Sequence, residues 1–492
     1  MDGFIDATPA EVSSIMQASS MAFQVYKRKS LRERANFMRT IAANLESLGD
    51  RLLEMAMKET NLSKPRLQGE LTRTIFQLNS YADACEAGDW LQVRIDTGDE
   101  NRNPSKPDIR KTQVPLGPVV VFGASNFPFA YSTAGGDTAC AFAAGCTVVV
   151  KAHPAHPKTG YMVAEAIHKA CDACNLPKQV FGHIYGAGND VGKALVTHQN
   201  TKAVAFTGSF NGGKALFDWG NQRQIPIPVF AEMGSVNPVF LLPGKLRENA
   251  SGIAKMLAAS ITLSVGQFCT NPGLIIGIES KDLQEFKEAL KAEIEQVAAA
   301  AMLHSGIAGS FHIKLDAVLK EDAVETISNP NIPGELLAAP AIATVDGRTF
   351  MKNRLLQEEI FGPYSLVVSC QSIQELLGVA CSLDGQLTTT IIATANEIHE
   401  NAEFVDLLME KCGRMILNGV PTGVEVCAAM QHGGPFPATT DARFTAVGAD
   451  GIRRFSRPVC FQNWNNASLP EELKDGNPLK IWRKVDNCFT QN

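Results

Sequence analysis

Residues 118–151 read PVVVFGASNFPFAYSTAGGDTACAFAAGCTVVVK. The apolar runs at 119–122 and 147–151 are β-branched and too short for helices, and the small residues of 132–145 between them suit a closely packed helix. Outward from this unit the alternation continues, with helices predicted at 159–175, 190–198 and 212–219 and strands at 180–185, 203–206 and 229–232. Strands apolar on both faces and separated by helices imply an α/β fold built on a parallel, doubly wound sheet. Such sheets bind ligands, often nucleotides, at the carboxyl ends of their strands.

From residue 112 to residue 150 the only charge is Asp137, a stretch long enough for a membrane span. Pro118, Pro128 and several glycines interrupt it, so buried strands and a helix are expected instead. At 492 residues, 45% hydrophobic and 20% charged, the chain suits two or three globular domains with a large core. A net charge of -6 offers no basic face to nucleic acid or to an anionic membrane. The twelve cysteines lack framework spacing, and Met1-Asp-Gly-Phe-Ile-Asp6 lacks a basic, apolar leader pattern, which points to free thiols in the cytoplasm.

Upstream, Thr8-Pro-Ala-Glu11 and Ser30-Leu-Arg-Glu33 resemble capping boxes that open helices. Strand-like patterns at 91–95 and 109–114 flank a polar loop at 98–106, a ribbon suited to assembly or to packing on its own domain. A second α/β region follows to about residue 438, with strands near 274–278, 364–368 and 389–393. The segments 453–463 and 479–485 are again short and strand-like.

Two chemistry-bearing groups stand close in sequence. Val229-Phe-Ala-Glu232-Met-Gly-Ser-Val-Asn-Pro238 carries a carboxylate at a strand end, and Ser264-Val-Gly-Gln-Phe-Cys269-Thr-Asn-Pro-Gly273 carries a thiol in an irregular, glycine-bounded loop. An ionisable thiol and a carboxylate able to activate water are what covalent acyl chemistry needs. A helix over 248–264 would fold Cys269 back towards Glu232. The competing reading of Cys269 is a small buried hydrophobe.

Several stretches could hold a nucleotide. Phe206-Thr-Gly-Ser-Phe-Asn-Gly-Gly213 runs from a strand into a helix and offers amides and the Ser209 hydroxyl, with Gly208 and Gly212 allowing close approach; an ordinary capped turn is the alternative. Lys151 ends a strand of valines where ribose or phosphate would lie, or simply reaches solvent. Tyr185-Gly-Ala-Gly-Asn-Asp-Val-Gly192 only approximates a dinucleotide fingerprint, with no acidic residue at the expected distance. The proline between His153 and His156 argues against a helical metal pair, and Cys171-Asp-Ala-Cys174 lacks the second pair a zinc site needs. No metal is expected.

Together these residues resemble the aldehyde dehydrogenase family over nearly the whole chain. Gly266-Gln-Phe-Cys269 is similar to its nucleophile motif, Glu232-Met-Gly to its general-base motif, and Asn126 in Ser-Asn-Phe-Pro to its oxyanion asparagine. Phe206-Thr-Gly-Ser209 and Lys151 match its cofactor contacts. Glu358-Glu-Ile-Phe-Gly-Pro363 matches its late motif, whose second glutamate, Glu359, holds the nicotinamide ribose beside Phe361. The resemblance implies an NAD- or NADP-dependent oxidation of an aldehyde through a Cys269 thioester. It implies a cofactor domain at 1–90 and 116–234, a catalytic domain at 235–440, and oligomerisation strands at 91–115 and 475–492. Residues 441–474 would return to the cofactor domain, and a homodimer or homotetramer is expected.

Some positions depart from the family pattern. Ser125 replaces a usual tryptophan, Ser235 a second glycine, and Pro154 the glutamate that many NAD-preferring members carry, which leaves NADP admissible. Residues 123–131 and 433–443 resemble a branch that contains α-ketoglutarate semialdehyde dehydrogenases and NADP-dependent long-chain fatty aldehyde dehydrogenases. The former activity, giving 2-oxoglutarate, is the expectation, with the fatty aldehyde activity as its rival. A catalytically silent scaffold and a CoA-acylating enzyme are further alternatives. They are disfavoured by the joint presence of Cys269, Glu232, Asn126, Lys151 and Glu359. Arg443, after the Gly433-Gly434 turn, is a candidate for a substrate carboxylate, against a surface salt bridge as the plain reading.

Overall fold

The computed structural model describes residues 4–329 and 334–492. Five parallel strands form the first sheet, in the spatial order Phe181–Ile184, Val148–Lys151, Val119–Phe122, Ala203–Thr207, Val229–Glu232. The order reverses between Val119–Phe122 and Ala203–Thr207, which opens a crevice beyond their carboxyl ends. Val119 to Val121 and Val148 to Val150 are completely or almost completely buried. At roughly 1.5–3 kcal/mol for each valine removed from water, these two strands contribute much of the local driving force. The helix between them is shorter than its composition suggests, Gly136–Ala144. Glu70 accepts the backbone N–H groups of Phe129 and Ala130, which holds the preceding residues in an irregular loop.

Helices Pro9–Tyr26 and Leu31–Thr60 both start with complete capping boxes, Thr8 with Glu11 and Ser30 with Glu33. With Lys64–Ala87 they pack on this sheet in one apolar cluster that also takes in Ile452 and Phe455. No described helix is long and apolar enough to cross a membrane.

The second sheet has seven strands: Glu325–Ser328, Ala341–Asp346, Tyr364–Cys370, Leu274–Ile278, Val239–Leu241, Gln386–Ile392 and Cys412–Leu417. All pairs are parallel except the first. A third sheet places Ser456–Gln462, Ile109–Pro115, Arg94–Asp96, Arg483–Val485 and Cys488–Thr490 side by side, so the ribbon and the tail anticipated from sequence meet in one structure.

One crossover explains the placement of the chemistry. The chain leaves the first sheet at Glu232 and enters the second at Val239–Leu241. It returns along helix Pro243–Thr262, kinked at Asn249, and passes Cys269 before entering Leu274–Ile278. Those two strands are parallel neighbours, Val239 opposite Ile275, so both begin at the same edge. Glu232 therefore ends one sheet where Cys269 approaches the amino edge of the other.

Candidate active site

The Cys269 loop is held by backbone geometry. Ser264, Val265 and Gly266 have φ of 48°, 59° and 65°, a left-handed run that costs energy outside glycine. A Cβ on Gly266 would stand 2.3 Å from the carbonyl carbon of Gly362, so the two family-like motifs meet backbone against backbone. Asn271 Nδ2 donates to the Gly362 carbonyl at 3.1 Å, and Asn237 Nδ2 donates to the carbonyls of Cys269 and Asn271, each at 2.9 Å. Ser235 uses its hydroxyl rather than a glycine's freedom. Its Oγ donates to Gln386 Oε1 at 2.9 Å and accepts the Leu387 N–H at 3.0 Å, tying the segment after Glu232 to a central strand. Gly234 keeps its close approach, because a Cβ there would lie 2.7 Å from Glu359 Oε2.

A cleft of about 420 Å³ gathers most of the residues singled out from sequence: Asn126, Gly208, Ser209, Gly212, Glu232, Cys269, Glu359 and Phe361 all line it. Asn126 Nδ2 donates to the Gln267 carbonyl at 3.1 Å, which leaves its second N–H free to face the cleft. Ser209 caps its own helix by accepting the Gly212 N–H at 3.3 Å, so the plain reading of that turn holds alongside its position in the cleft. A Cβ at Gly208 or Gly212 would press on the Phe206 ring, at 2.6 and 2.9 Å. Lys151 sits at the end of its strand, half-buried, with burial lowering its pKa and Asp6 opposing. Pro154 follows in the next turn.

The other motifs are tied into local packing, and His153 also lines the cleft. The Tyr185–Gly192 turn gives its Ala187 N–H to Asp6 at 2.8 Å. Cys171 is buried in its helix, Cys174 bonds Thr40, and all twelve cysteines are free thiols. His153 and His156 stack at 5.3 Å, and His156 Nε2 contacts the Ala124 carbonyl. Arg443 takes the plain reading offered for it: its side chain is 82% exposed and paired with Asp441 at 2.5 Å, and it does not line the cleft.

One site residue is absent from the sequence-derived set. His432 is buried, and its Nε2 lies 3.1 Å from Glu232 Oε1 and 3.7 Å from Cys269 Sγ. The chain from 432 to 440 runs along the last strand of the first sheet, with the Met233 N–H donating to Ala438 and the Thr440 N–H to Ala231. Gly433 and Gly434 let it pass, since a Cβ on the first would meet the Phe444 carbonyl oxygen at 2.7 Å and one on the second would clash with the Gln386 carbonyl. The available signal was a histidine directly before a Gly-Gly-Pro turn, in a chain with nine histidines.

Burial raises the Glu232 carboxyl, but the charge and close contact of His432, aided by Cys269 and Arg454, outweigh it and hold Glu232 below the usual carboxylate range. The Cys269 thiol goes the other way. Burial, then the Glu232 charge and contact, then Glu359, push it well above the thiol range against the pull of Arg73. Glu359 is pushed up to about 7, mainly by burial, with Lys314 opposing. The arrangement thus favours the carboxylate and disfavours the thiolate, with His432 Nε2 close to both groups.

A thiol, a carboxylate and an amide donor at the mouth of a nucleotide-type crevice fit the aldehyde dehydrogenase fold, and the chain belongs to that family, whose model matches residues 2–435. It is 45% identical to the alpha-ketoglutaric semialdehyde dehydrogenase of Acinetobacter baylyi, over 99% of this chain and 93% of that protein. Alpha-ketoglutaric semialdehyde dehydrogenase 2 of Azospirillum brasilense is 43% identical, over 98% and 92%. Among solved structures, glyceraldehyde-3-phosphate dehydrogenase GapN of Methanocaldococcus jannaschii, complexed with NADP, superposes with a TM-score of 0.78 at 18% identity, covering 93% of this chain and 95% of that one.

Proposed function

We propose that the protein oxidises α-ketoglutarate semialdehyde to 2-oxoglutarate with NAD or NADP, by covalent catalysis at Cys269. The observation that carries the chemistry is the convergence of Cys269, His432 and Glu232, whose reactive atoms lie within 4.8 Å of one another. Identity above 40% to two enzymes named for this substrate supports the choice of aldehyde.

The cleft fits a dinucleotide. It offers the amino end of helix Phe210–Asn221 beside Gly208 and Ser209, a glycine floor under the Phe206 ring, and the carboxyl of Glu359 near the reacting end. Bound NAD or NADP would accept the hydride that leaves the substrate carbon. The absence of a carboxylate at Pro154 supports tolerance of a 2′-phosphate.

The residues act in sequence. Glu232, in contact with both Cys269 and His432, takes the thiol proton and passes it to solvent, while His432 Nε2 stabilises the carboxylate and the thiolate that forms. The thiolate adds to the aldehyde carbon to give a thiohemiacetal, whose oxyanion is met by the free N–H of Asn126 and a backbone N–H near Cys269. One such donor is worth about 3 kcal/mol in the transition state. Once the carbon is oxidised to a thioester, Glu232 takes a proton from water, hydroxide adds, and the Cys269 sulfur departs with a proton returned to it.

Further assignments rest on the same reading. The division into a cofactor part (1–90, 116–234 and 441–474) and a catalytic part (235–440) is supported by the apolar cluster that packs the N-terminal helices, Ile452 and Phe455 on the first sheet. The third sheet, with exposed Phe489 on its edge strand Cys488–Thr490 and exposed Trp482 just before the neighbouring strand Arg483–Val485, supports assembly into a homodimer or homotetramer. Free thiols support a reducing, cytoplasmic setting.

The test is a set of steady-state rates with α-ketoglutarate semialdehyde, succinate semialdehyde and a long aliphatic aldehyde, each with NAD and NADP. The expected order puts the keto-acid semialdehyde first. A preference for the aliphatic aldehyde moves the protein to a fatty aldehyde activity. Dehydrogenase turnover that survives Cys269→Ala removes the covalent mechanism.

A further inference from the structure

With Arg443 exposed and paired with Asp441, the distal carboxylate of the proposed substrate needs another cation. Four arginines stand near the reacting end, of which Arg454 is paired with Asp137 at 2.7 Å. Arg66 is already neutralised: its Nη1 bonds the buried Glu70 at 2.8 Å, and its guanidinium lies 4.4 Å from the Phe127 ring centre and 5.4 Å from that of Phe268. The other two have no carboxylate partner among the described residues.

Arg73, on helix Lys64–Ala87, donates Nη2 to the Tyr131 hydroxyl at 3.2 Å, and its guanidinium carbon lies 5.3 Å from that ring's centre. The Tyr131 ring is in turn 6.2 Å from the His432 ring. Arg414, on strand Cys412–Leu417, donates Nη1 to the Gly423 carbonyl at 2.9 Å and Nη2 to the Pro421 carbonyl at 2.6 Å. Its neighbour Gly413 abuts the Gly433 carbonyl, directly after His432. In both arginines the Nε is buried and has no hydrogen-bond partner.

Lack of an acid partner is not unusual by itself. Arg223, for example, bonds only backbone carbonyls. Arg73 and Arg414 differ in location: Arg73 bonds Tyr131, whose ring neighbours that of His432, and Arg414 adjoins Gly413, which abuts the residue after His432. Arg73 eases ionisation of Cys269, and Cys269 and Tyr131 act on Arg414 against the effect of its burial. A guanidinium stays charged in any protein setting, and a half-buried one without a counter-ion leaves a desolvation cost that an incoming anion offsets. Its fork of donors matches a carboxylate in particular.

We infer that Arg73 and Arg414 bind the distal carboxylate of the substrate and so select short acidic semialdehydes over aliphatic aldehydes. This inference rests on the semialdehyde reading above.

The test compares kcat/KM for α-ketoglutarate semialdehyde and for pentanal in the wild type, Arg73→Met, Arg414→Met and the two Arg→Lys variants. Each Met variant should lose roughly 100-fold on the semialdehyde, mainly through KM, with a far smaller loss on pentanal and the Lys variants in between. Inhibition of pentanal oxidation by 2-oxoglutarate should weaken in parallel. Equal losses on both aldehydes, or an unchanged selectivity ratio, overturn the assignment of these arginines while the semialdehyde reading stands. A wild type that does not prefer the semialdehyde to pentanal removes both.

Discussion

Gly266 and Gly362 touch through their backbones, with no room for a side chain between them: a Cβ on Gly266 would meet the Gly362 carbonyl carbon at 2.3 Å. The contact fixes the Cys269 loop against the segment that carries Glu359 and Phe361. Gly266→Ala has to part the two and also hold alanine at a φ of 65°. We expect a stability loss of about 2–4 kcal/mol, combining overpacking and left-handed strain, and a larger fall in kcat than in cofactor affinity. Thermal melts with steady-state kinetics check both. A variant with wild-type kcat would show that the loop is positioned by other contacts.

Glu232 raises the Cys269 thiol through its charge. Removing that charge in Glu232→Gln should therefore shift the pH profile of Cys269 alkylation by iodoacetamide to lower pH. In the same variant the thioester should accumulate, visible by intact-mass spectrometry after quenching, while steady-state turnover falls. An unshifted alkylation profile would contradict the electrostatic account.

For His432→Gln we expect slower acylation, by roughly 100-fold, because the nitrogen close to both Sγ and the carboxylate is lost. Rapid-mixing measurement of the first turnover separates this step from deacylation. A normal first turnover would leave His432 with a packing role only.

Asn126→Ala should lower kcat by about 100-fold through loss of one oxyanion donor. NAD affinity, measured by fluorescence quenching, should change little. An affinity loss as large as the rate loss would place Asn126 in cofactor binding instead.

Glu359 titrates near neutrality, pushed up to about 7 by burial. If its carboxylate accepts the ribose hydroxyls, NAD should bind more tightly at pH 8 than at pH 6, since only the ionised form is a full acceptor. Glu359→Gln should flatten that dependence. Calorimetric titration at the two pH values decides it.

The strands of the first sheet were legible because runs such as Val119–Phe122 are buried on both faces and leave an uninterrupted apolar signature. Cys269 and Glu232 were legible through their unusual settings. His432, Arg73 and Arg414 were not, because nothing local distinguishes them: each acquires its place from elements far away in sequence. For Arg443 the plain reading, a surface salt bridge, is the one its exposed contact with Asp441 supports. The start of helix Gly136–Ala144 was hidden similarly, since Glu70, on a distant helix, claims the amides that would have begun it earlier.

The crossover from Glu232 to Cys269 has a consequence beyond catalysis. Glu232 and Cys269 belong to different sheets, and the cleft walls are drawn from both, with Gly208 and Ser209 on one side and Glu359 and Phe361 on the other. A dinucleotide lying there is a splint across a joint. Its binding energy adds to the docking of the two sheets by mass action, so the protein should melt as a tighter unit when the cofactor is in excess than when it is scarce.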